Sequence, residues 1–165
     1  MRILGIDPGI ARCGWSIVQS EKFKVKSLNY GCVETKNGLP IELRLKTVYE
    51  QITEIIEKEK PDVLAIEELF FNTNAKTAFM VGQARGVVLL TAAQNKIPVA
   101  IYTPLQVKVA VTGYGKAEKI QVGKMVKALL KLKEIPKPDD VTDALAIALT
   151  HAFSSKFNSI KQPSF

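Results

Sequence analysis

The chain has 165 residues, 47% of them hydrophobic, and carries 23 Lys and Arg against 16 Asp and Glu, a formal net charge of +7. That length suits one domain with a full core, and the excess of positive charge points to a polyanionic partner such as nucleic acid. No apolar stretch reaches transmembrane length, and the opening Met-Arg-Ile-Leu-Gly-Ile breaks at Asp7, too early for a signal peptide. A membrane protein and a secreted one are therefore set aside, and a reducing cytoplasm is the expected compartment.

Residues 2–7, 14–20 and 26–35 read as three strands whose short connections favour antiparallel pairing. Cys13 and Cys32 fall in this region. They form no CxxC pair, which argues against zinc, and the sequence leaves open whether they pair with each other. Asn37-Gly38 marks a turn, and Pro40 opens a helix with Ile41, Leu45, Val48, Ile52 and Ile55 on one apolar face, closed by Pro61-Asp62. Residues 63–67 are a short, almost wholly apolar strand, as expected where both faces are covered. A helix follows over 75–95, containing the apolar run 87–93, which reads as buried, and Gly82 and Gly86 one turn apart, which allow another element to pack closely. A fifth strand spans 98–102, and Thr103-Pro104 starts a short helix to 109. Residues 112–116 form a flexible basic loop. The helix over 117–132 directs Ile120, Met125, Leu129 and Leu132 inward, and a last helix spans 140–153. The order describes an α/β fold, a five-stranded mixed sheet flanked by helices, in one domain over 1–153 with a flexible polar tail over 154–165.

Four acids stand out against this frame. Asp7 ends the first strand, Glu67 ends the fourth, and Asp140 and Asp143 lie one turn apart at the start of the last helix. Carboxylates at the ends of buried strands are unfavourable unless paired or bound to metal. Each has a bland alternative: Asp7 before Pro8-Gly9 suits a turn, Asp139 or Asp140 suits a helix cap, and Asp143 suits the helix dipole. Glu67 resists that alternative, since turns do not favour Glu. Convergence would give an all-oxygen site suited to Mg²⁺ or Mn²⁺. A phosphodiester has a poor leaving group, and its hydrolysis is well served by two ions about 4 Å apart held by several carboxylates, with cationic side chains nearby.

Gly5-Ile6-Asp7-Pro8-Gly9, Ala65-Ile66-Glu67, Gly82-Gln83-Ala84-Arg85-Gly86 and Asp140-Val141-Thr142-Asp143-Ala144-Leu145-Ala146 resemble motifs of the RuvC family of bacterial Holliday junction resolvases. Gln106-Val107-Lys108 and Ala117-Glu118-Lys119 match as well, so that the resemblance runs over 2–153. It implies a ribonuclease H-like fold, a homodimer, and Mg²⁺-dependent symmetric nicking of four-way junction DNA alongside the RuvA–RuvB branch-migration complex. By position it places catalytic, metal-holding acids at Asp7, Glu67, Asp140 and Asp143, with two Mg²⁺ per site and Mn²⁺ able to substitute. Catalytic basic residues fall on Lys108 and Lys119, and a DNA-contacting aromatic on Phe70. Glu68 should point away from Glu67, and Asp139 is better placed as a cap or supporting acid. The short, arginine-poor tail departs from the family.

Lys116, Lys119, Lys124 and Lys127 are further candidates for phosphate contact, with Lys131 on the same helix face as Lys124 and Lys127; a merely solvated face is the alternative. Of Phe70 and Phe71, consecutive at a strand end, one is expected to be exposed and able to stack on a base. His151, the sole histidine, reads as an ordinary helix residue and Trp15 as a sheet residue. Two rivals remain. An actin-like or sugar-kinase-like ATPase also opens on a strand, an Asp and a Gly-rich turn, but needs two such domains, and no Walker A pattern occurs. A junction-binding scaffold without cutting would be expected to lack one of the acids.

Overall fold

The computed structural model describes residues 1–22, 24–68 and 75–160, with 75–77 and 155–160 described through their backbone alone. Its elements are β1 (Arg2–Asp7), β2 (Arg12–Glu21), β3 (Lys24–Glu34), α1 (Ile41–Glu59), β4 (Val63–Glu67), α2 (Ala75–Gln94), β5 (Val99–Tyr102), α3 (Pro104–Thr112), α4 (Lys119–Leu130) and α5 (Asp139–Ile160). The strands form one mixed sheet in the order β3-β2-β1-β4-β5. β1, β2 and β3 pair antiparallel, as their short connections require, while β4 runs parallel to both β1 and β5. This is the expected five-stranded mixed sheet flanked by helices.

Period-two alternation sends each strand's side chains into two different cores. On one face Ile3, Val63 and Ala65 pack with α5 and with Val107, Val111, Val122, Val126 and Leu130 of α3 and α4. On the other, Leu4, Ile6, Leu64 and Ile66 pack with Val48, Ile52 and Ile56 of α1 and with Val88 and Ala92 of α2. β4 thus reads as a continuous apolar run because it is covered on both sides. Cys13 belongs to the α1–α2 layer and Cys32 packs against the α5 layer, so the sheet lies between them and both thiols are free.

Four local expectations are corrected. In α1 the buried stripe is Val48, Ile52 and Ile56, with Ile41 exposed at the helix start. Leu129 of α4 and Leu132 just past its end pack against the core as expected, but the buried residues of α4 are Val122, Gly123, Val126 and Leu130, while Ile120 is 60% exposed and Met125 is exposed as well. α4 is apolar over most of its circumference, and the packing of α3 and α5 selects the residues that are buried. α2 is a helix as expected, but it buries only one side of its apolar run: Leu90 is 55% exposed. Lastly, α5 continues to Ile160, well beyond residue 153, because no Pro or Gly interrupts Ser154-Ser155-Lys156-Phe157-Asn158-Ser159-Ile160. No described helix is long and apolar enough to cross a membrane.

Two strand glycines seat α5 on the sheet. A Cβ built at Gly5 would lie 2.2 Å from the Ala144 carbonyl oxygen, and one at Gly14 would lie 2.0 Å from that of Asp140. Glycine inside a strand often marks such a close backbone approach. Gly14→Ala is expected to push the start of α5 off β2 and to cost about 3 kcal/mol, at the upper end of overpacking penalties. In a thermal melt that is a loss of roughly 6–12 °C. An unchanged melting temperature would show that α5 is not held in this way.

Candidate active site

Strand register brings the first two acids together. β1 and β4 are parallel with Ile6 opposite Ile66, so Asp7 and Glu67 end neighbouring strands at the same level, with backbones about 4.8 Å apart. Ala65, two residues before Glu67, packs in the α5 layer, and the bond to a Cβ at Gly5, two before Asp7, would point at α5. Alternation therefore turns both acids toward α5. Asp7 in turn pairs across the sheet with Gly14, the residue against which the Asp140 backbone rests. The first turn of α5, carrying Asp140 and Asp143, is thereby laid beside Asp7 and Glu67. It is held in place by the Val141 N–H, which donates to the Pro138 carbonyl at 3.0 Å, and by the Thr142 hydroxyl, which donates to that of Pro136 at 2.8 Å.

The acids feel one another. Burial, followed by the charges of Asp143, Asp140 and Glu67, raises the Asp7 carboxyl to about 7 against the partial relief given by Lys119. Burial and Asp143 raise Glu67, opposed by Lys108 and Lys119. Asp143 is raised by burial against the pull of Lys119. Lys119, which burial alone would lower, is raised on balance by its hydrogen bond to Asp143 and the surrounding carboxylates. Like charges gathered in a partly desolvated cleft produce this pattern, and such perturbed groups cluster at functional sites.

Capped helices deliver the cations. Thr103 and Gln106 form a reciprocal capping box at the start of α3, with Pro104 in its first turn, and this fixes the helix that presents Lys108. At α4 the Gln121 side chain accepts from the Glu118 N–H at 2.7 Å, setting the turn that begins with Lys119. Lys108, Lys119, Glu67 and Asp143 line a cleft of about 200 Å³. Within it the Lys119 ammonium lies 2.8 Å from Asp143 and 3.6 Å from Asp139. Asp139 is thus an exposed supporting acid, as expected, and Glu68 is exposed, its N–H donating to the Tyr102 carbonyl.

The donor set is all oxygen, and the Asp7, Glu67 and Asp140 carboxylates have no hydrogen-bond or ion-pair partner among the described residues. Clustered, desolvated acids short of counter-charge fit a hard divalent cation. As they stand, no three His, Cys, Asp or Glu side chains among the described residues are disposed to hold an ion, and Asp143 is engaged by Lys119.

Not every candidate joins the cleft. Lys116 and Lys124 are exposed and Lys127 half-buried, and none of the three lines it. Phe70 and Phe71 lie outside the described residues. His151 packs edge-on against Tyr102, with its Nδ1 2.7 Å from the phenol oxygen, as a helix residue serving the fold. Trp15 sits on β2 against Gly31. One contributor was not singled out from sequence: Arg85 of α2 donates from Nε to the Glu67 carbonyl at 3.3 Å, tying α2 to the end of β4. It lies within the Gly82-Gln83-Ala84-Arg85-Gly86 segment, but nothing in that pattern announces a backbone contact.

The family model described as crossover junction endodeoxyribonuclease RuvC matches residues 3–151. The chain belongs to the RuvC family. It is 57% identical over 158 residues to the crossover junction endodeoxyribonuclease RuvC of Desulforamulus reducens, covering 95% of this chain and 97% of that one. Identity to the Brevibacillus brevis RuvC is 54% over 162 residues, 98% of each. Among solved structures, Thermus thermophilus RuvC in complex with Holliday junction substrate superposes with a TM-score of 0.91 at 39% identity, covering 96% of this chain and 97% of that one. The fold is ribonuclease H-like, and membership of the RuvC family sets the ATPase reading aside.

Proposed function

We propose that this chain resolves Holliday junctions as a structure-selective endodeoxyribonuclease. It nicks two strands symmetrically in the course of cytoplasmic DNA recombination and repair, leaving 5′-phosphate and 3′-hydroxyl ends. The observation that carries this reading is the electrostatic influence of Asp143, Asp140 and Glu67 on the buried Asp7, with Glu67 and Asp143 lining a cleft beside Lys108 and Lys119. Family membership and the likeness to a RuvC bound to junction DNA support it.

Asp7, Glu67, Asp140 and Asp143 would hold two Mg²⁺ ions, with Mn²⁺ able to replace them. Such ions, when bound, supply charge neutralisation at the phosphate and activation of water at neutral pH. The chain's own contribution is positional and electrostatic. The strand ends and the first turn of α5 fix the carboxylates on rigid elements. Lys108 and Lys119, on separately capped helices, meet the scissile phosphate and stabilise charge that builds on its oxygens. Lys119 also neutralises Asp143 in the protein without DNA. Phe70, three residues past Glu67, would stack on a base drawn out at the crossover, and Lys116, Lys124 and Lys127 would contact phosphates away from the cleft.

Paired cuts call for two sites related by two-fold symmetry. The surface for a second copy is the outer face of α2 and the neighbouring edge of β5. Phe79, Leu90 and Ile101 are 66%, 55% and 51% exposed there, and a Cβ at Gly86 would meet no described atom of this chain within 4 Å. Leu90→Glu is expected to convert a homodimer into monomers in sedimentation at micromolar concentration and to abolish paired cutting. A strict monomer in the unsubstituted protein that still makes paired cuts would overturn the dimer. Action alongside RuvA–RuvB belongs to the same proposal.

The test of the activity is a nicking assay on a synthetic four-way junction with and without Mg²⁺. Symmetric, ligatable nicks that need the ion are expected. Tight junction binding without cutting under any divalent cation would favour a scaffold instead.

A further inference from the structure

The cleft lined by Lys108 and Lys119 reaches Glu67 and Asp143 on one side of the start of α5. On the other side, between the β1–β2 turn, the end of β3 and α2, lies a second and larger hollow of about 520 Å³, within the range that accommodates ligand-sized groups. Asp140 lines it, so this hollow and the Lys108 cleft flank the same start of α5. Among the described residues its charged lining side chains are Arg12, Glu34 and Asp140, and Arg12 is the one cation among these.

The walls are built. Thr35 donates its N–H to the Ala11 carbonyl at 3.1 Å, and its hydroxyl bonds the Ile10 carbonyl and accepts from Arg44 Nε at 2.8 Å. The turn over 9–11 is thus pinned to the end of β3. Arg12 opens β2 two residues before Gly14, so alternation sends its side chain to the α5 face that also carries Asp7 and Glu67. Among the described residues Arg12 is restrained only by Glu34, at 3.7 Å, in a pair whose side chains are both more than half exposed. Water screens such a pair strongly, whereas the planar guanidinium matches a phosphate bidentately.

A strand whose phosphate sits at the acids must leave on both sides. On the Lys108 side its backbone meets two ammonium groups; on the other it would meet Glu34 and Asp140. We propose that Arg12, with the exposed Asn37 beside it, forms a phosphodiester-binding subsite that exchanges Glu34 for the backbone phosphate flanking the scissile one. This inference rests on the nuclease reading above and deepens it: Arg12 positions the strand and does not touch the reacting atoms.

The experiment is equilibrium binding of the full-length protein to a synthetic four-way junction in EDTA over a salt series. Unsubstituted protein is compared with Arg12→Gln, Arg12→Lys, Glu34→Gln and, as a control at the far end of the sheet, Lys24→Gln. Arg12→Gln is expected to weaken binding several-fold and to reduce the slope of log affinity against log salt by about 1. Arg12→Lys should recover part of the loss, Glu34→Gln should tighten binding, and Lys24→Gln should change nothing. Neutral methylphosphonates placed one at a time near the cut should include one position that weakens the unsubstituted protein but leaves Arg12→Gln indifferent. Equal affinity and slope for Arg12→Gln overturns the subsite, as does an equal loss in Arg12→Gln and Glu34→Gln, which would make the pair structural. So does additivity of Arg12→Gln with every methylphosphonate. Failure of the unsubstituted protein to bind junctions at all would overturn the nuclease reading together with the subsite.

Discussion

Asp7→Asn is expected to slow junction cleavage by about a thousandfold or more while leaving junction binding intact. Asp7 is the acid most strongly influenced by the other three, since its carboxyl is raised by Asp143, Asp140 and Glu67 in addition to burial. Asparagine keeps the shape and the position at the end of β1 but removes the charge needed to hold a divalent ion. An interaction of several kcal/mol in the transition state, at about 1.4 kcal/mol per factor of ten, is then lost. Affinity draws instead on Lys and Arg contacts to phosphates. In EDTA the variant should bind junctions at least as well as the unsubstituted protein, because one negative charge facing the DNA is gone. Gel-shift and nicking assays on the same preparations check both halves. Cleavage within tenfold of the unsubstituted rate in Mg²⁺ would remove Asp7 from the catalytic set.

The same substitution is expected to stabilise the metal-free protein at alkaline pH. Folding raises the Asp7 carboxyl from an ordinary 3.8 to about 7, so between those values the native state holds the proton that the unfolded chain has released. Stability from this group is therefore greatest below pH 4, falls as pH rises, and reaches its full penalty above pH 7. The carboxyl keeps some contact with solvent, which limits that penalty to roughly 2–4 kcal/mol. Melting curves of Asp7→Asn and the unsubstituted protein in EDTA should nearly coincide at pH 4 and separate at pH 8, with the variant several degrees higher. Mg²⁺ should narrow the gap at pH 8 by stabilising the unsubstituted protein alone. A variant that melts lower at pH 8 would mean that Asp7 makes a stabilising contact absent from this account.

Much of the candidate site was legible in the chain because its acids sit at element ends, where sequence signals are strong. Apolar runs that stop at Asp7 and Glu67 reveal both the strands and the carboxylates that close them. The spacing of Asp140 and Asp143 before an apolar helix does the same for α5. What periodicity alone does not decide is which of two apolar stripes a helix buries. α4 offers apolar residues nearly all round, with Ile120 and Met125 flanking Val122 and Val126, and the positions of α3 and α5 decide which are buried. Backbone contacts are equally silent. Arg85 reaches a carbonyl rather than a partner side chain, and Gly5 and Gly14 act through the side chains they lack. Arg12 looks like an isolated surface charge until strand alternation places it on the face of Asp7.

Asp7, Glu67, Asp140 and Asp143 are proposed to form one divalent-metal site. Anomalous diffraction from crystals grown with Mn²⁺ tests it most directly. Manganese peaks coordinated by carboxylate oxygens of these four residues, with Asp143 released from Lys119, are the expected result. Peaks held by other residues, or no manganese at the four acids at saturating concentration with junction DNA bound, would contradict it.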